Sequence, residues 1–411
     1  MVKSAVGTLK NVDSILGTRG SWGLAVSVTT RQQGEARGPG ALRVEVIRDE
    51  PALLALRDHW TKLLASCEPA MSPTQSFEYA SSAWAIMPKD RGTSLSIITI
   101  WREANLLGLW PLHVRRAGSV TVATHLGCGG NEEYAGPLIA RDPDEAHVAS
   151  LALSAAKSLA DVLRLYNLRP QSSIALLANS ERAFSFRSSV FSPIITLRGE
   201  DDWEGWLGKK SKNFRHEVRK FRRRLESSGQ LKSINSSAGA DGPEIVRWLF
   251  QIKRRWLADR GISRSWILDP LGEQLFESML AQQIHEFHAF ALTLDGKIIA
   301  AGLCFLSQGL LEFHMIGFDP EFAYFSPGNL LVEDIAKWAL LAGVDLDFRL
   351  TQLPFKMRWI DREERYDSFA IACSVRGIPT VGTLHLRHLN QTVRSRLGPK
   401  IKALLGRRRT P

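Results

Sequence analysis

Glu312 and His314 stand two residues apart in LLEFHMIGF, and on a β-strand that spacing turns both side chains to one face, as a general acid/base pair requires. A pair of half-buried polar residues is the other reading of the same spacing. A little further on, FAYFSPGNLL runs from a loop into a helix. Pro327 presets the helical φ at a position that needs no donor, and Gly328 lets a ligand approach the backbone. Free N–H groups and the positive end of the helix dipole make the first turn, Ser326, Pro327, Gly328 and Asn329, a candidate phosphate site. An ordinary helix start capped by Ser326 would have the same residues. Next, Asp347 lies in a strand, and Gln352, Phe355, Lys356, Arg358 and Trp359 follow in RLTQLPFKMRWIDR. That cluster suits an anionic or sugar-like substrate, while each residue alone also fits a packing or surface role. A Ser/His/Asp triad, a G-x-S-x-G elbow and a GxxxxGK[ST] loop are missing from the sequence, and HLGCGGNEEY reads as a turn.

The elements around these residues are readable from their periods. LRVEVI alternates as a strand, and ALLALRDHWTKLLASC and FEYASSAWAIM have helical spacing. SLSIITIW, LLGLWPLHVRR and SVTVATHLG form an antiparallel run, PDEAHVASLALSAAKSLA is a helix, and DVLRLYNL and SIALLA read as further strands. After residue 240 the order repeats. Two helices, GPEIVRWLFQIKRRWLADRG and LGEQLFESMLAQQIHEF, precede a meander whose first hairpin turns at Asp295-Gly296. The FSPGNLL helix and the strand VDLDFRLT follow. The pattern predicts an α+β duplication: a loosely ordered leader over 1–40, units over 41–197 and 198–382, and a basic tail over 383–411.

Charge is concentrated in two places. KKSKNFRHEVRKFRRR, residues 209 to 224, holds nine Lys or Arg against one acid, and residues 383 to 411 hold eight against none. The chain total is only +11, so the remainder is net acidic. In the first segment Phe214, Val218, Phe221 and Leu225 recur at helical steps, which gives a linking helix over 203–228 a side to bury. Cys67, Cys128, Cys304 and Cys373 are far apart and form no metal-ligand cluster, so no metal is expected and a cytoplasmic, reducing setting fits. No window of the sequence approaches a membrane span or a secretory signal.

Several stretches together resemble the CelD/BioF-like acetyltransferases, a GNAT-superfamily branch of bacterial cellulose and exopolysaccharide loci related to the FemAB transferases. They are KKSKNFRHEVRKFRRRLE after WEGWL, the KRRW ending at Trp256, LDGKIIAAGLCF, FSPGNLLVEDIAKWA, LPFKMRW and, in the first half, LWPLHVRR and EEYAGPLI. The resemblance covers about residues 42 to 375 and implies tandem GNAT-like domains in mixed, mostly antiparallel sheets. It implies acetyl-CoA, or another acyl-CoA, as co-substrate, with its pyrophosphate at Tyr324 to Leu330 and Arg255 and Trp256 among the substrate-binding residues. The acceptor would be a small molecule or saccharide carrying an amine or hydroxyl, deprotonated by Glu312 or His314. Where the family reads Gly-Asp, this chain has Thr351-Gln352. Two other readings stand beside it: a FemAB-like transferase using aminoacyl-tRNA, and a non-catalytic nucleic-acid binder, against which the missing recognition motifs argue. The basic tail is also suited to an anionic membrane surface.

Overall fold

A computed structural model describes residues 40–67, 72–89, 92–127, 134–181, 184–236, 241–263, 265–307, 309–350 and 354–389. The expected leader up to residue 39, the tail from residue 390, residues 128–133 of the HLGCGGNEEY turn with Cys128, and Thr351-Gln352 lie outside the described residues.

In chain order the first half is β1 (Leu42–Ile47), α1 (Glu50–Ala55), α2 (Arg57–Ser66), α3 (Phe77–Ile86), β2 (Thr93–Arg102), β3 (Asn105–Ala117), β4 (Val120–His125), β5 (Leu138–Ile139), α4 (Glu145–Ser158), β6 (Val162–Leu168), α5 (Ser173–Ser180) and β7 (Ser185–Ile195). The second half is α6 (Trp203–Gly208), α7 (Lys212–Glu226), β8 (Leu231–Ser236), α8 (Gly242–Ala258), α9 (Pro270–Ala281), β9 (Phe287–Leu294), β10 (Lys297–Ser307), β11 (Leu310–Phe318), α10 (Pro327–Leu341), β12 (Asp345–Asp347) and β13 (Arg362–Ala372). Residues 378–389 are again helical.

Both meanders form where the alternation places them, and Asp295 and Gly296 take φ of +50° and +81°, the signs a type I′ hairpin turn needs. SIALLA departs from its expected strand: it is helix α5. Five apolar residues in a row fit either element, and Ser172 decides by accepting the Ala175 N–H at the helix start, so that Ile174, Ala175 and Ala178 are buried together. ALLALRDHWTKLLASC divides into α1 and α2 at Leu56, whose N–H returns to the Leu53 carbonyl. Three strands have no clear signal in the sequence, β7, β8 and β13, each with polar residues along most of its length.

All the described strands join one sheet, ordered β1-β2-β3-β4-β6-β13-β7-β12-β11-β10-β9-β8, with β5 beside β3. Each half runs through antiparallel neighbours to a parallel pair, β4 with β6 and β11 with β12. The last strand of each half is then exchanged. β7 pairs with β12 of the second half, β13 pairs with β6 of the first, and the two pair with each other at the centre. A division near residue 197 therefore divides the chain but not the sheet. The fold is mixed α+β, with helices on both faces. α7 and α10 cover one face of the second half through Phe214, Val218, Leu225, Leu331 and Ile335. α8 and α9 cover the other, joined by Tyr79 and Ala83 of α3, with the Tyr79 ring stacked on Phe287 at 6.3 Å.

The exit of β13 is held to the start of β6 by one residue. Asp161 accepts from the Thr121 N–H and hydroxyl at 2.9 Å and from the Ser374 hydroxyl at 2.5 Å, and its carbonyl accepts the Cys373 N–H at 2.8 Å. A Cβ on Gly377 would lie 2.1 Å from that same carbonyl oxygen. Gly377→Ala should therefore lower the unfolding free energy by about 2 kcal/mol or more, read from urea denaturation.

Candidate active site

β11 and β12 run parallel for three residues, Leu310 to Glu312 against Asp345 to Asp347; β12 then ends while β11 continues to Phe318. Glu312 and Asp347 are the last opposed pair before the strands part. α10 carries the chain from the end of β11 back to β12, so its N-terminus stands at the mouth of the opening, the place where parallel strands with a helical crossover receive ligands.

The two carboxylates are buried and differently served. Asp347 accepts from the Ser192 hydroxyl and the Arg349 N–H (2.6 Å) on one oxygen and from the Tyr134 hydroxyl (2.6 Å) on the other. Glu312 accepts from the Ser72 hydroxyl at 2.9 Å and has the Arg349 guanidinium 3.5 Å away. Arg349 also donates to His314 Nδ1 at 2.9 Å and lies over the Tyr134 ring at 5.0 Å. Its own φ is +56°, a conformation that disfavours a bulky side chain and that the Arg349 N–H to Asp347 bond holds in place. Ser72, Tyr134 and Ser192 come from the first half of the chain, while Glu312, Asp347 and Arg349 come from the second.

Protonation follows from these surroundings. Burial pushes the Glu312 carboxyl up to about 7, against the pull of Arg349, and the Asp347 charge adds to the rise. Burial also raises Asp347, but Ser192, Tyr134 and the Arg349 N–H stabilise its ionised form. Burial, then Arg349 and Lys356, push His314 well below the usual imidazole range. His314 is therefore neutral, and because Nδ1 accepts from Arg349 its proton is on Nε2, an atom with no hydrogen-bond partner among the described residues. The ring is boxed by Phe305, Phe276 and Trp266 at 4.7, 5.1 and 5.6 Å. Of the pair expected from the sequence, Glu312 is the group poised to exchange a proton near neutrality, and His314 holds Arg349 in position.

At the mouth, Ser326 does not cap α10. It takes φ +52° and makes no side-chain cap bond, while its carbonyl accepts from the Asn329 and Leu330 N–H groups. Pro327 has no N–H, which leaves Gly328 with the first-turn amide that meets no acceptor among the described residues. Tyr324 is exposed beneath the Arg224 guanidinium at 5.2 Å. A narrow cleft of about 10 Å³ lies beside this turn, between Phe214, Val218 and Phe221 of α7 and Asn329, Leu330 and Trp359. α7 buries the face its sequence specifies, and Arg222 reaches across to Glu333 (2.9 Å) and Asp334 of α10.

Other candidates fall elsewhere. Trp359 is buried against Phe214 and Trp206, its Nε1 turned to Asn329 Oδ1 at 3.4 Å, and Phe355 packs beside the same core. Lys356 is buried and donates to the Phe348 carbonyl at 2.7 Å. Arg255 and Trp256 are exposed on α8, the Trp256 ring under Arg260 at 4.1 Å. Gln352 is outside the described residues. Sequence reasoning missed Ser72, Tyr134 and Ser192, which are remote along the chain from the candidates they contact, and Arg349, which stands two residues past Asp347 in the VDLDFRLT stretch and was left unread.

Residues 212–357 match the sequence model of the Acetyltransferase (GNAT) domain family, a span that includes α7, β11, α10, Asp347 and Arg349. No curated protein matches the chain. Among solved structures, FemX superposes with a TM-score of 0.55 at 12% identity, over 76% of this chain and 95% of its own. A conserved protein of unknown function from Bacteroides thetaiotaomicron VPI-5482 superposes with a TM-score of 0.51 at 12% identity, over 80% and 99%. A tandem GNAT protein from the clavulanic acid biosynthesis pathway aligns at a TM-score of 0.41 and 12% identity, over 80% and 99%. At these identities the likeness to FemX and to the Bacteroides protein is one of fold.

Because the folded state raises the Glu312 carboxyl from 4.5 to about 7, the stability tied to its proton is present in full below 4.5 and is lost as pH rises to 7. Glu312→Gln has no such proton to lose. Between pH 5 and pH 8 the variant should gain on the parent by about 3 kcal/mol, measured by denaturation at each pH.

Proposed function

We propose that the chain is an acyltransferase that moves an acyl group, acetyl in the simplest case, from acyl-CoA to an amine or hydroxyl of a small or saccharide acceptor. The observation that carries the reading is Glu312: a buried carboxyl set at about 7, opposite Asp347, where the strands of a GNAT-type fold part. A group with that proton affinity can remove a proton from an acceptor at neutral pH and hold it through the transfer. Arg349 keeps the two carboxylates from repelling each other, and neutral His314 keeps Arg349 from turning away.

The donor fits the first turn of α10 in part. Gly328 offers one amide and the left-handed Ser326 opens the turn, while Pro327 offers none, so phosphate charge would be met mainly by cations of α7 such as Arg224. Bound there, the co-substrate supplies an activated thioester. A leader, two GNAT-like units meeting near residue 197, a cytoplasmic setting and a place in bacterial polysaccharide synthesis belong to the same reading. A second reading keeps Glu312 as base and takes aminoacyl-tRNA as donor. The likeness to FemX and the exposed Lys212, Arg219, Lys220 and Arg223 of α7 favour it.

Calorimetry should show saturable acetyl-CoA binding; none at millimolar ligand, with transfer from charged tRNA instead, would decide for the second reading. For whichever donor is used, kcat/KM should rise with pH through about 7, as the Glu312 carboxyl loses its proton. In Glu312→Gln that limb should disappear and the rate should drop roughly a hundredfold or more.

A further inference from the structure

The Ser72 hydroxyl is aimed by the segment that carries it. Ser72 caps a single 3₁₀ turn, Pro73–Gln75: the Gln75 side chain accepts the Ser72 N–H at 3.2 Å, and the Ser72 carbonyl accepts the Gln75 N–H at 2.8 Å. Three further bonds tie the turn to the first half of the chain. Trp60 Nε1 donates to the Gln75 carbonyl at 2.9 Å, Gln75 Nε2 to the Gly136 carbonyl at 2.6 Å, and His125 Nε2 to the Thr74 carbonyl at 3.1 Å. Ser72, Thr74 and Gln75 are all buried.

Within the turn the Ser72 oxygen accepts twice, from the Thr74 hydroxyl at 2.9 Å and from the Thr74 N–H at 3.4 Å. A hydroxyl has two lone pairs and one proton, so with both lone pairs engaged the proton is left for Glu312 Oε2, 2.9 Å away. A bond donated in that direction favours the ionised carboxylate. The charged and titratable groups around Glu312 are Arg349 and Asp347 of the second half, Arg169 just past β6, Tyr134 and Tyr366, with neutral His314 on its own strand. Burial raises both tyrosines, which therefore stay neutral. We propose that Ser72 is a positioning residue of the reaction: its hydroxyl, aimed by a turn of the first half, holds Glu312 in place and favours its ionised, proton-accepting form. The proposal rests on the reading of Glu312 as the base, and it gives the first half a part in the chemistry.

The test removes the hydroxyl and follows two readouts: kcat/KM against pH, and the infrared band of the protonated Glu312 carboxyl, assigned by its loss in Glu312→Gln. The infrared titration needs neither donor nor acceptor, so it reports on Ser72 even if the proposed reaction fails. In Ser72→Ala the midpoint of the carboxyl band and the rising limb of kcat/KM should both move up by about one pH unit, the effect of losing a hydrogen bond to a charged group. Rates should be roughly tenfold lower than the parent's below the limb and should converge with them above it. Ser72→Thr, which keeps a hydroxyl, should bring both readouts back. Glycine costs little as a cap, so Ser72→Gly gives the same readings if alanine loosens the turn. A carboxyl midpoint unmoved in both hydroxyl-free variants would overturn the proposal, as would a rate lowered equally at every pH, the mark of a purely structural role. A midpoint that moves with no rate limb following it would instead overturn Glu312 as the base, and with it the part of Ser72 in the reaction.

Discussion

Two carboxylates buried opposite each other on a short parallel pair, one beside the Arg349 guanidinium and the other bonded by the Arg349 N–H, are the constraint around which the rest is arranged. Left alone, Glu312 and Asp347 would force one another to stay protonated. Ser192, Tyr134 and a backbone N–H are committed to Asp347, so the shared burden falls on Glu312. Just past the end of β12 the backbone turns left-handed at Arg349, whose N–H bonds Asp347 while its guanidinium lies beside Glu312. The residue that balances the charge thus stands where the two strands part.

The legible part of the sequence was the part governed by period. The meanders, the Asp295-Gly296 hairpin, the apolar stripe of α7 and the helix starting at Pro327 follow from spacing and turn chemistry, as does the pairing of Glu312 with His314 on one strand. Periodicity failed where burial on one face gave no clean alternation, as in β7 and β13, and where an apolar run was too short to reveal its period, as in α5. Half of the site was unreadable for a different reason. Ser72, Tyr134 and Ser192 meet Glu312 and Asp347 from 240, 213 and 155 residues away, and no local pattern encodes such a meeting.

The basic helix also reads differently in its surroundings. Two of its cations are answered by acids within the fold, Arg222 by Glu333 and Asp334 and Arg219 by Glu204, while its own Glu217 is held by Arg358. Buried pairs such as Arg222 with Glu333 fix how α7 sits on α10 more than they add to stability. What remains for an anionic donor is a smaller set of cations near the α10 turn.

The exchange of β7 and β13 orders events in time. During synthesis β6 emerges long before its partner: Asn167 must wait for Ser368, 201 residues later, to close the hydrogen bonds between them. Until then β6 carries an open edge where β13 will pair. Closure of so distant a contact is slow and leaves that edge available to other chains. β13 is thus the last strand of the sheet to emerge, and it closes the edges of both β6 and β7.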